Sequence, residues 1–442
     1  MDTPEAQSRP RVVVVGAGMA GIAAVRALRR AAVEVRVIDA HNYSTFPPLL
    51  FQVATCFISP DEVARPVRGM LRNTRVARFQ VGRVADVDWG AGRVVLDDGS
   101  SVPFDYLVLA AGVVPSFGGI PGAVENAIPL KSVSDAIRLR NRLLRSFEQA
   151  AAHPENANVG QTSLVVVGGG ASGVELSGYV ASFLFHRQFE ADYPQLEPAK
   201  MQATLVERGD CLLPGFHPSL GRYALQTLRE RGVEVLLNTE VREVERDGVV
   251  VSGDRRLPAA TVVWAGGVDS PLWVKHLGAA SREGRLVVDP DLRLPSHPNT
   301  FVVGDLAAVP RKRGGLHPQV AQVAIQTGRH AGRQIANLVE GKHVREFAYF
   351  DKGMMAIVGR NAAIVQTGPV RLTGPIAWVA WGFLHIGYLP GVLNRMTTGL
   401  KYLWWHLSHE NANRALVEEE ATAAGGPARE GGTAVRQAGP HG

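Results

Sequence analysis

The sequence Val12-Val13-Val14-Val15-Gly16-Ala17-Gly18-Met19-Ala20-Gly21, near the amino terminus, decides the fold. Four consecutive β-branched residues predict a strand that is covered on both faces, as in parallel sheets. The glycines follow in the pattern G-x-G-x-x-G, which makes a tight turn, lets a pyrophosphate approach the backbone and lets the next helix pack on the strand. The stretch therefore predicts the opening strand, loop and helix of a dinucleotide-binding domain.

Asp39 ends the next predicted strand, residues 34–38. A carboxylate in this position accepts hydrogen bonds from the ribose of an adenosine. The helix that begins in the glycine loop offers free N–H groups and a partial positive charge to phosphates. Gly16, Gly18, Gly21 and Asp39 are therefore predicted to bind a dinucleotide cofactor.

A second unit repeats this pattern. The strand predicted at residues 164–167, which is rich in valine, is followed by Gly168-Gly169-Gly170-Ala171-Ser172-Gly173. Gly168, Gly170 and Gly173 are its candidate nucleotide contacts. Glu207, after a strand at 201–206, would repel a 2′-phosphate and so favours NADH over NADPH, a preference that the neighbouring Arg208 weakens. The two units indicate an α/β fold with two Rossmann-like domains, one holding FAD tightly and the other exchanging a pyridine nucleotide.

Three other strands end in small residues that are further candidates for cofactor contacts. Gly112 follows a strand in the first unit, and Gly266 follows its counterpart in the second. Gly304 and Asp305 end a third strand, where the carboxylate can bind the ribityl hydroxyls of FAD or position a helix near the pyrophosphate. The alternative for Asp305 is an ordinary helix N-cap.

The composition excludes several classes of protein. Of the 442 residues, 46% are hydrophobic, which excludes intrinsic disorder for most of the chain. The 47 basic and 41 acidic residues leave a net charge of +6, but no aromatic-interleaved basic motif indicates nucleic-acid binding. The two cysteines, Cys56 and Cys211, exclude a disulfide scaffold and a Cys-x-x-Cys redox pair. No metal site is predicted.

Further motifs carry a resemblance to a known family. They are Pro47-Pro48-Leu49-Leu50-Phe51-Gln52-Val53-Ala54-Thr55, Gly173-Val174-Glu175, Ala321-Gln322-x-Ala324-x-Gln326, Asp351-Lys352-Gly353, Ile357-Val358-Gly359-Arg360 and a tryptophan-rich segment after Gly374. On these residues the chain, from about residue 11 to about residue 407, resembles the type II NADH dehydrogenases. These are FAD-dependent NADH:quinone oxidoreductases on the fold with two dinucleotide-binding domains, and they do not pump protons.

The resemblance implies roles for particular side chains. Gln52 and Thr55 would contact FAD, and Gln322, Gln326 and Met355 would bind the quinone, either menaquinone or ubiquinone. Glu175 and Lys352 would be catalytic, with Glu175 also close to the nicotinamide. This pair could relay the protons that quinone reduction consumes, or it could be an ordinary ion pair between domains.

Residues 372–393 contain no Asp, Glu, Lys or Arg, and they are long enough to span a bilayer. Glycines and a proline interrupt the stretch, which instead favours two helices lying in the membrane interface over about residues 374–409. A peripheral protein on the cytoplasmic face of the membrane is therefore expected. A spanning helix and a homodimer interface are the alternatives.

The predicted organisation divides the FAD-binding domain into residues 1–115 and 286–345, around an NADH-binding domain at 116–285. A strand pair and amphipathic helices follow at 346–415, with a disordered tail at 416–442. One helix is predicted over residues 316–338. Two other functions remain open, an NAD(P)H-dependent flavoprotein reductase of a protein acceptor and a flavin-bound redox sensor with low turnover.

Overall fold

A computed structural model describes residues 9–155, 159–184, 187–196, 202–312, 314–389, 391–408 and 414–416. The predicted tail falls outside the described residues except for Leu416, and His409, at the end of the predicted membrane segment, also falls outside them.

The first sheet is built around the opening valine run. Five of its six strands are parallel and the edge strand β22 is antiparallel. In spatial order they are β22 (Arg293–Leu294), β23 (His297–Val302), β9 (Tyr106–Leu109), β1 (Arg11–Val15), β2 (Glu34–Asp39) and β5 (Ala77–Val81). Val12, Val13 and Val14 are fully buried because neighbouring strands and helices cover both faces of β1.

The second sheet has five strands, all parallel. In order they are β11 (Ala127–Pro129), β18 (Thr261–Trp264), β12 (Leu164–Val167), β13 (Ala203–Val206) and β14 (Val233–Leu236). The second glycine motif follows the central strand β12, as the first follows β1. Each motif therefore lies at the carboxyl edge of a parallel sheet, where such folds bind ligands.

Smaller antiparallel elements surround these sheets. They are β3 (Tyr43–Thr45) with β4 (Ala64–Pro66); β6 (Val84–Asp88), β7 (Arg93–Leu96) and β8 (Ser101–Pro103); β10 (Val114–Pro115) with β19 (Val268–Asp269); β15 (Val241–Glu245), β16 (Gly248–Val251) and β17 (Arg255–Pro258); β20 (Ser281–Arg282) and β21 (Arg285–Val287), with β24 (Ala307–Ala308) parallel to β21; and β25 (Met354–Gly359), β26 (Ala362–Thr367) and β27 (Val370–Thr373).

The helices cover the sheets and form the carboxyl-terminal part. They are α1 (Met19–Leu28), α2 (Leu50–Ala54), α3 (Pro60–Val63), α4 (Val67–Leu71), α5 (Ala123–Asn126), α6 (Val133–Ala152), α7 (Val159–Thr162), α8 (Ala171–Leu184), α9 (Arg187–Asp192), α10 (Pro218–Glu230), α11 (Leu272–Lys275), α12 (Ala321–Val339), α13 (Gly374–Tyr388) and α14 (Val392–Ser408). Short 3-10 turns occupy Pro47–Leu49 and Gly304–Leu306.

The helix predicted over residues 316–338 begins at Ala321, so its predicted start was wrong. Leu316 instead forms an isolated bridge with Pro310, and the N–H of His317 donates to the carbonyl of Val309. Pro318 explains why residues 316 and 317 are not helical, because a proline disfavours helical backbone in the residue before it, and the extended backbone of Val320 then sets the start at Ala321.

Helix α12 crosses α1 at very short range. A Cβ atom on Gly328 would lie 2.0 Å from the carbonyl oxygen of Ala20, and one on Gly332 would lie 2.4 Å from that of Ala24. The two glycines therefore let the backbones of α12 and α1 touch. This contact fixes the start of α12 beside the first glycine loop, which α1 follows.

We predict that Gly328→Ala lowers the free energy of unfolding by about 1–3 kcal/mol, because its methyl group would overlap backbone atoms of α1. The control is Gly399→Ala in α14, where an added Cβ would meet nothing within 4 Å. This second change should leave stability unchanged or raise it by about 0.5–1 kcal/mol. Urea unfolding of both variants measures the difference, and equal destabilisation would contradict the crossing geometry.

Candidate active site

The first glycine loop has the shape that a bound pyrophosphate requires. Gly16 has φ +102°, and a Cβ there would lie 2.3 Å from the carbonyl oxygen of Ala110. A Cβ on Gly21 would lie 1.9 Å from the carbonyl oxygen of Gly16. A Cβ on Gly18 would meet nothing within 4 Å, and no side chain caps α1 at this point. The start of α1 is therefore open to a phosphate group.

Asp39 closes this loop. One carboxylate oxygen accepts from the N–H of Ala17 at 2.6 Å, and the other accepts from the N–H of His41 at 2.8 Å. Each oxygen retains lone-pair capacity for a second donor. The carboxylate is thus held at the loop and is still able to accept from ribose hydroxyls.

The second loop repeats the arrangement. Gly168 has φ +110°, and a Cβ on Gly173 would lie 1.9 Å from the carbonyl oxygen of Gly168, whereas Gly170 borders open space. Glu207 accepts from the N–H of Gly169 at 2.5 Å and from that of Gly209 at 2.6 Å. The predicted motif residues of each unit therefore come together.

The other small residues also lie at strand ends. Gly112 follows β9 with φ +67°, and a Cβ on Gly266 would approach the Trp264 indole at 3.2 Å. The N–H of Gly304 donates to the Thr327 hydroxyl of α12 at 3.0 Å.

Asp305 lies 3.6 Å from the ammonium of Lys131 in an ion pair. Lys131 immediately precedes the capping box by which Ser132 and Asp135 start α6. The sequence reasoning did not single out this lysine, since nothing in its local pattern indicates a partner so distant in sequence.

Gln52 belongs to a buried polar cluster with two tyrosines. Its amide donates to the Tyr402 hydroxyl, and Tyr179 lies 3.5 Å from the same nitrogen. Gln52 is completely buried, and its Oε1 has no partner among the described residues. This oxygen is an acceptor for the N–H or O–H of a bound group. The hydroxyl of Thr55 instead donates to the carbonyl of Phe51 at 2.8 Å, within α2.

The two tyrosines were missed from the sequence. Tyr179 is four residues after Glu175 on α8, a spacing that places both on one helical face and was a usable signal. Tyr402 comes from α14, 350 residues after Gln52, and no local pattern predicts that contact. Burial raises the pKa of both phenols, so they remain protonated at neutral pH.

Glu175 is a buried carboxyl group on α8, and it has a single hydrogen bond among the described residues. Its Oε1 accepts from the N–H of Ile357 at 3.3 Å. Burial raises the pKa of Glu175 to about 8, and the bond from Ile357 only partly opposes this shift. The side chain therefore carries a proton at neutral pH. When ionised, its charge would raise the pKa of the nearby Tyr179 and Tyr402.

Lys352 does not form an ion pair with Glu175. Its ammonium donates to the hydroxyl of Tyr388 at 3.2 Å and lies 5.9 Å from the centre of that ring, in an exposed position. The alternative of an ordinary ion pair between Glu175 and Lys352 is therefore wrong. With no ammonium beside it in the described part of the chain, burial dominates the pKa of Glu175.

Gln322 and Gln326 both fasten the segment at residues 350–353. Gln322 donates to the carbonyl of Gly353 at 2.7 Å and accepts from the N–H of Lys352 at 3.2 Å. Gln326 donates to the carbonyl of Phe350 at 2.8 Å and accepts from its N–H at 3.0 Å. Each amide keeps one N–H for a further acceptor. Met355, on β25, is half-buried against the core beside this segment.

Cys56 is buried, and burial raises the pKa of its thiol to about 12, whereas Cys211 is exposed. A thiol with this pKa is a poor nucleophile at neutral pH, because the thiolate is the reactive form. Among the described residues, no cluster of His, Cys, Asp and Glu could hold a metal ion.

The chain is similar in sequence to known proteins. Residues 10–328 match the family of the pyridine nucleotide-disulphide oxidoreductases. The type II NADH:quinone oxidoreductase Ndh of Mycobacterium tuberculosis is 36% identical over 438 residues, which cover 95% of this chain and 93% of that protein. The type II NADH:quinone oxidoreductase of Staphylococcus epidermidis is 30% identical over 367 residues, covering 81% and 90% respectively.

A solved structure shares the fold. The structure of NDH2 from Plasmodium falciparum in complex with NADH matches with a TM-score of 0.85 at 18% identity, covering 93% of this chain and 100% of that one. The predicted α/β fold, with two Rossmann-like units and carboxyl-terminal helices, is confirmed.

We predict that Glu175→Gln flattens the pH dependence of stability. Glu175 has a raised pKa, so the folded state binds a proton that the unfolded state releases between about pH 5 and pH 8. The Glu175 contribution to stability is present below this window and falls as the pH rises through it, by an amount on the order of 5 kcal/mol. Urea unfolding at several pH values measures the slope.

The matched control is Glu243→Gln, an exposed glutamate on β15, which should leave the slope of the wild-type protein unchanged. A Glu175→Gln protein whose stability varies with pH as steeply as that of the wild type would show that Glu175 is ionised throughout.

Proposed function

The chain belongs to the pyridine nucleotide-disulphide oxidoreductase family and, within it, to the type II NADH:quinone oxidoreductases, and from this premise we propose that it oxidises NADH and reduces a quinone. The observation that carries this proposal is the pair of glycine loops, each closed by a carboxylate at the end of the adjacent strand. Two separate nucleotide sites suit an enzyme that keeps one cofactor and exchanges the other.

The first loop is proposed to hold FAD. Gly16, Gly18 and Gly21 fit the diphosphate because the start of α1 is uncapped and open, and Asp39 fits the ribose. Gly112, Gly304, Asp305 and the free Oε1 of Gln52 complete this site. When bound, FAD accepts a hydride and passes its electrons onward, so the chain has to position the two reactants.

The second loop is proposed to hold NADH, through Gly168, Gly170, Gly173, Glu207 and Gly266. Glu207 favours NADH because its charge would repel a 2′-phosphate, while its two bonds to loop N–H groups keep it in place. The related Plasmodium falciparum protein has been solved in complex with NADH. Arg208 leaves open some use of NADPH.

Glu175 is proposed to act as the proton-holding group of the reaction. It is protonated at neutral pH and lies close enough to Tyr179 and Tyr402 for its charge to raise the pKa of both phenols, and Gln52 bonds to these two hydroxyl groups. Lys352 is proposed to assist from the exposed side through Tyr388 rather than through contact with Glu175. A carboxyl group with a pKa near the working pH is suited to general acid chemistry.

The quinone, menaquinone or ubiquinone, is proposed to bind beside residues 350–353. The remaining N–H groups of Gln322 and Gln326 can donate to its carbonyl oxygens, with Met355 as an apolar contact. Their existing bonds hold both amides in place before the quinone arrives.

Helices α13 and α14 are proposed to rest on the cytoplasmic face of the membrane. Their exposed faces carry large apolar side chains at helical spacing: Ile376, Val379 and Phe383 on α13, and Leu393, Met396, Leu400 and Trp404 on α14. The opposite faces pack inward through residues such as Trp381 and Tyr402. No helix within the described part of the chain is both long and apolar enough to cross a bilayer. Such a face suits interfacial docking.

The experiment that tests the reaction follows the flavin absorbance without oxygen. The purified, FAD-loaded protein is mixed with NADH, and a menaquinone or ubiquinone analogue is added after the absorbance has bleached. Bleaching followed by recovery supports the proposal. Bleaching without recovery would leave a reductase of a protein acceptor, and no bleaching would leave a redox sensor.

We predict that Gln326→Ala slows reoxidation of the flavin by the quinone by about 5- to 12-fold, as expected for the loss of a hydrogen bond worth roughly 1–1.5 kcal/mol. Bleaching by NADH should be unaffected. Stopped-flow absorbance separates the two steps, with Asn337→Ala on the same helix as the control. Equal slowing of both steps would contradict a role for Gln326 at the quinone.

We also predict that Leu393→Ser with Met396→Ser weakens binding to phosphatidylcholine vesicles by about 10-fold or more, because both exposed side chains would leave the lipid. Vesicle flotation measures binding. Val124→Ser with Leu272→Ser, which alters two exposed apolar residues on other helices, should bind as the wild type does. If the Leu393→Ser, Met396→Ser variant binds vesicles as well as the wild-type protein but has half its mass by light scattering, the exposed face of α13 and α14 is a homodimer interface instead.

A further inference from the structure

A cavity of about 670 Å³ lies between α1, α12, the β3–β4 pair and the turn that joins α13 to α14. Met19 and Ile22 of α1, Ile325 of α12 and Tyr388 of α13 form part of its wall. The proposed quinone residues Gln322, Gln326 and Met355 do not line it, and neither do the residues of the two glycine loops preceding α1 and α8. The cavity therefore lies next to the proposed quinone site, which it meets at Tyr388, the partner of Lys352, but it is lined by a different set of polar side chains.

Seven arginines line this cavity, and no aspartate or glutamate does. They are Arg26, Arg29, Arg30, Arg65, Arg329, Arg333 and Arg395. Within the described part of the chain, none of them forms an ion pair with a carboxylate. Several arginines elsewhere on the molecule are paired with a carboxylate, for example Arg11 with Asp105 and Arg293 with Asp291. The cavity therefore concentrates positive charge that the protein itself does not neutralise.

Two of these guanidinium groups repel each other. Partial burial and the nearby charge of Arg65 lower the pKa of Arg26. Like charges held together without a counter-charge cost free energy unless an anion binds between them. Arg329 and Arg333 add two more charges from α12, four residues apart and so on one face of that helix.

The wall of the cavity includes residues of the turn between α13 and α14, the part of the molecule proposed to touch lipid. Gly391, in the turn between α13 and α14, has φ +101°, and a Cβ there would lie 3.3 Å from the Arg65 guanidinium. Arg65 therefore lies directly over this turn. Arg395, on the first turns of α14, donates from Nε to the carbonyl of Leu389 at 2.8 Å, while its neighbours Leu393 and Met396 are exposed.

We propose that this cavity binds the phosphate headgroup of an anionic phospholipid. Guanidinium groups bind phosphate by paired, charge-assisted hydrogen bonds, and several are available here without competition from carboxylates. The exposed apolar side chains of α14 beside the turn suit the acyl chains that continue from such a headgroup. An uncharged quinone would gain nothing from this concentration of charge. The proposal rests on the membrane docking proposed above for α13 and α14, and it adds a lipid preference to that docking.

The test compares binding to vesicles of phosphatidylcholine alone with binding to vesicles that also contain phosphatidylglycerol. The FAD-loaded protein should bind the anionic vesicles at least about 100-fold more tightly, since three arginines near the headgroup would each contribute roughly fivefold. Arg329→Gln with Arg333→Gln should reduce binding to the anionic vesicles by about 30-fold, roughly fivefold for each arginine removed. Binding to phosphatidylcholine alone should stay unchanged, because the apolar face is intact.

The matched control is Arg78→Gln with Arg242→Gln, which removes the same charge from two exposed arginines outside the cavity. It should change binding to anionic vesicles by less than about twofold, since distant charges are screened by salt. A loss as large as that of the cavity variant would overturn the proposal in favour of general charge attraction. Thermal unfolding of each variant verifies that it is folded, and Arg65→Gln with Arg395→Gln supplies a second cavity variant for the same comparison.

Other outcomes separate this proposal from the function on which it rests. Equal binding of the wild-type protein to both kinds of vesicle would overturn the headgroup site and leave membrane docking intact. Binding to neither would overturn both. Inorganic phosphate, added at constant ionic strength, distinguishes the source of the anion. If millimolar phosphate stabilises the wild-type protein but not the cavity variants, and abolishes the preference for anionic vesicles, the site binds free phosphate and the lipid assignment is overturned.

Discussion

The bond from a strand-end carboxylate to the N–H of a glycine loop is the interaction on which this structure depends. Asp39 holds the first loop at Ala17, and Glu207 holds the second at Gly169. In each unit this bond fixes the loop against the neighbouring strand, so the following helix starts at the edge of the sheet with its N–H groups open. The same physical arrangement thus recurs at both of the proposed nucleotide sites. It also places a negative charge that suits a ribose rather than a 2′-phosphate.

The carboxyl-terminal helices are part of the site as well as its outer surface. Tyr402 of α14 bonds to the completely buried Gln52, and Lys401 pairs with the buried Glu62 of α3. On the same helix, Leu393 and Met396 point outward. Because one helix contacts both the flavin-side loop and the proposed lipid surface, displacement of α14 would disturb Gln52 directly. Docking and catalysis are therefore expected to depend on each other in this protein.

Much of this arrangement could be predicted from the sequence, because glycine loops and strand-end acids are local patterns with fixed spacing. The fold class and the family resemblance follow from them. Contacts between distant segments could not be predicted in this way. Tyr402 reaches Gln52 across 350 residues, and the amides of Gln322 and Gln326 bond to a segment that the sequence alone does not place beside α12. The predicted start of α12 was wrong because Pro318 and the extended backbone of Val320 delay the helix to Ala321.

The central claim is that the first loop retains FAD while the second exchanges a nucleotide. The most direct measurement is the amount of flavin released from the purified protein by denaturation, relative to the amount of protein. The account predicts about one FAD for each chain, retained through gel filtration, with no pyridine nucleotide bound at comparable occupancy. A colourless protein that retains no flavin after reconstitution with excess FAD would contradict it.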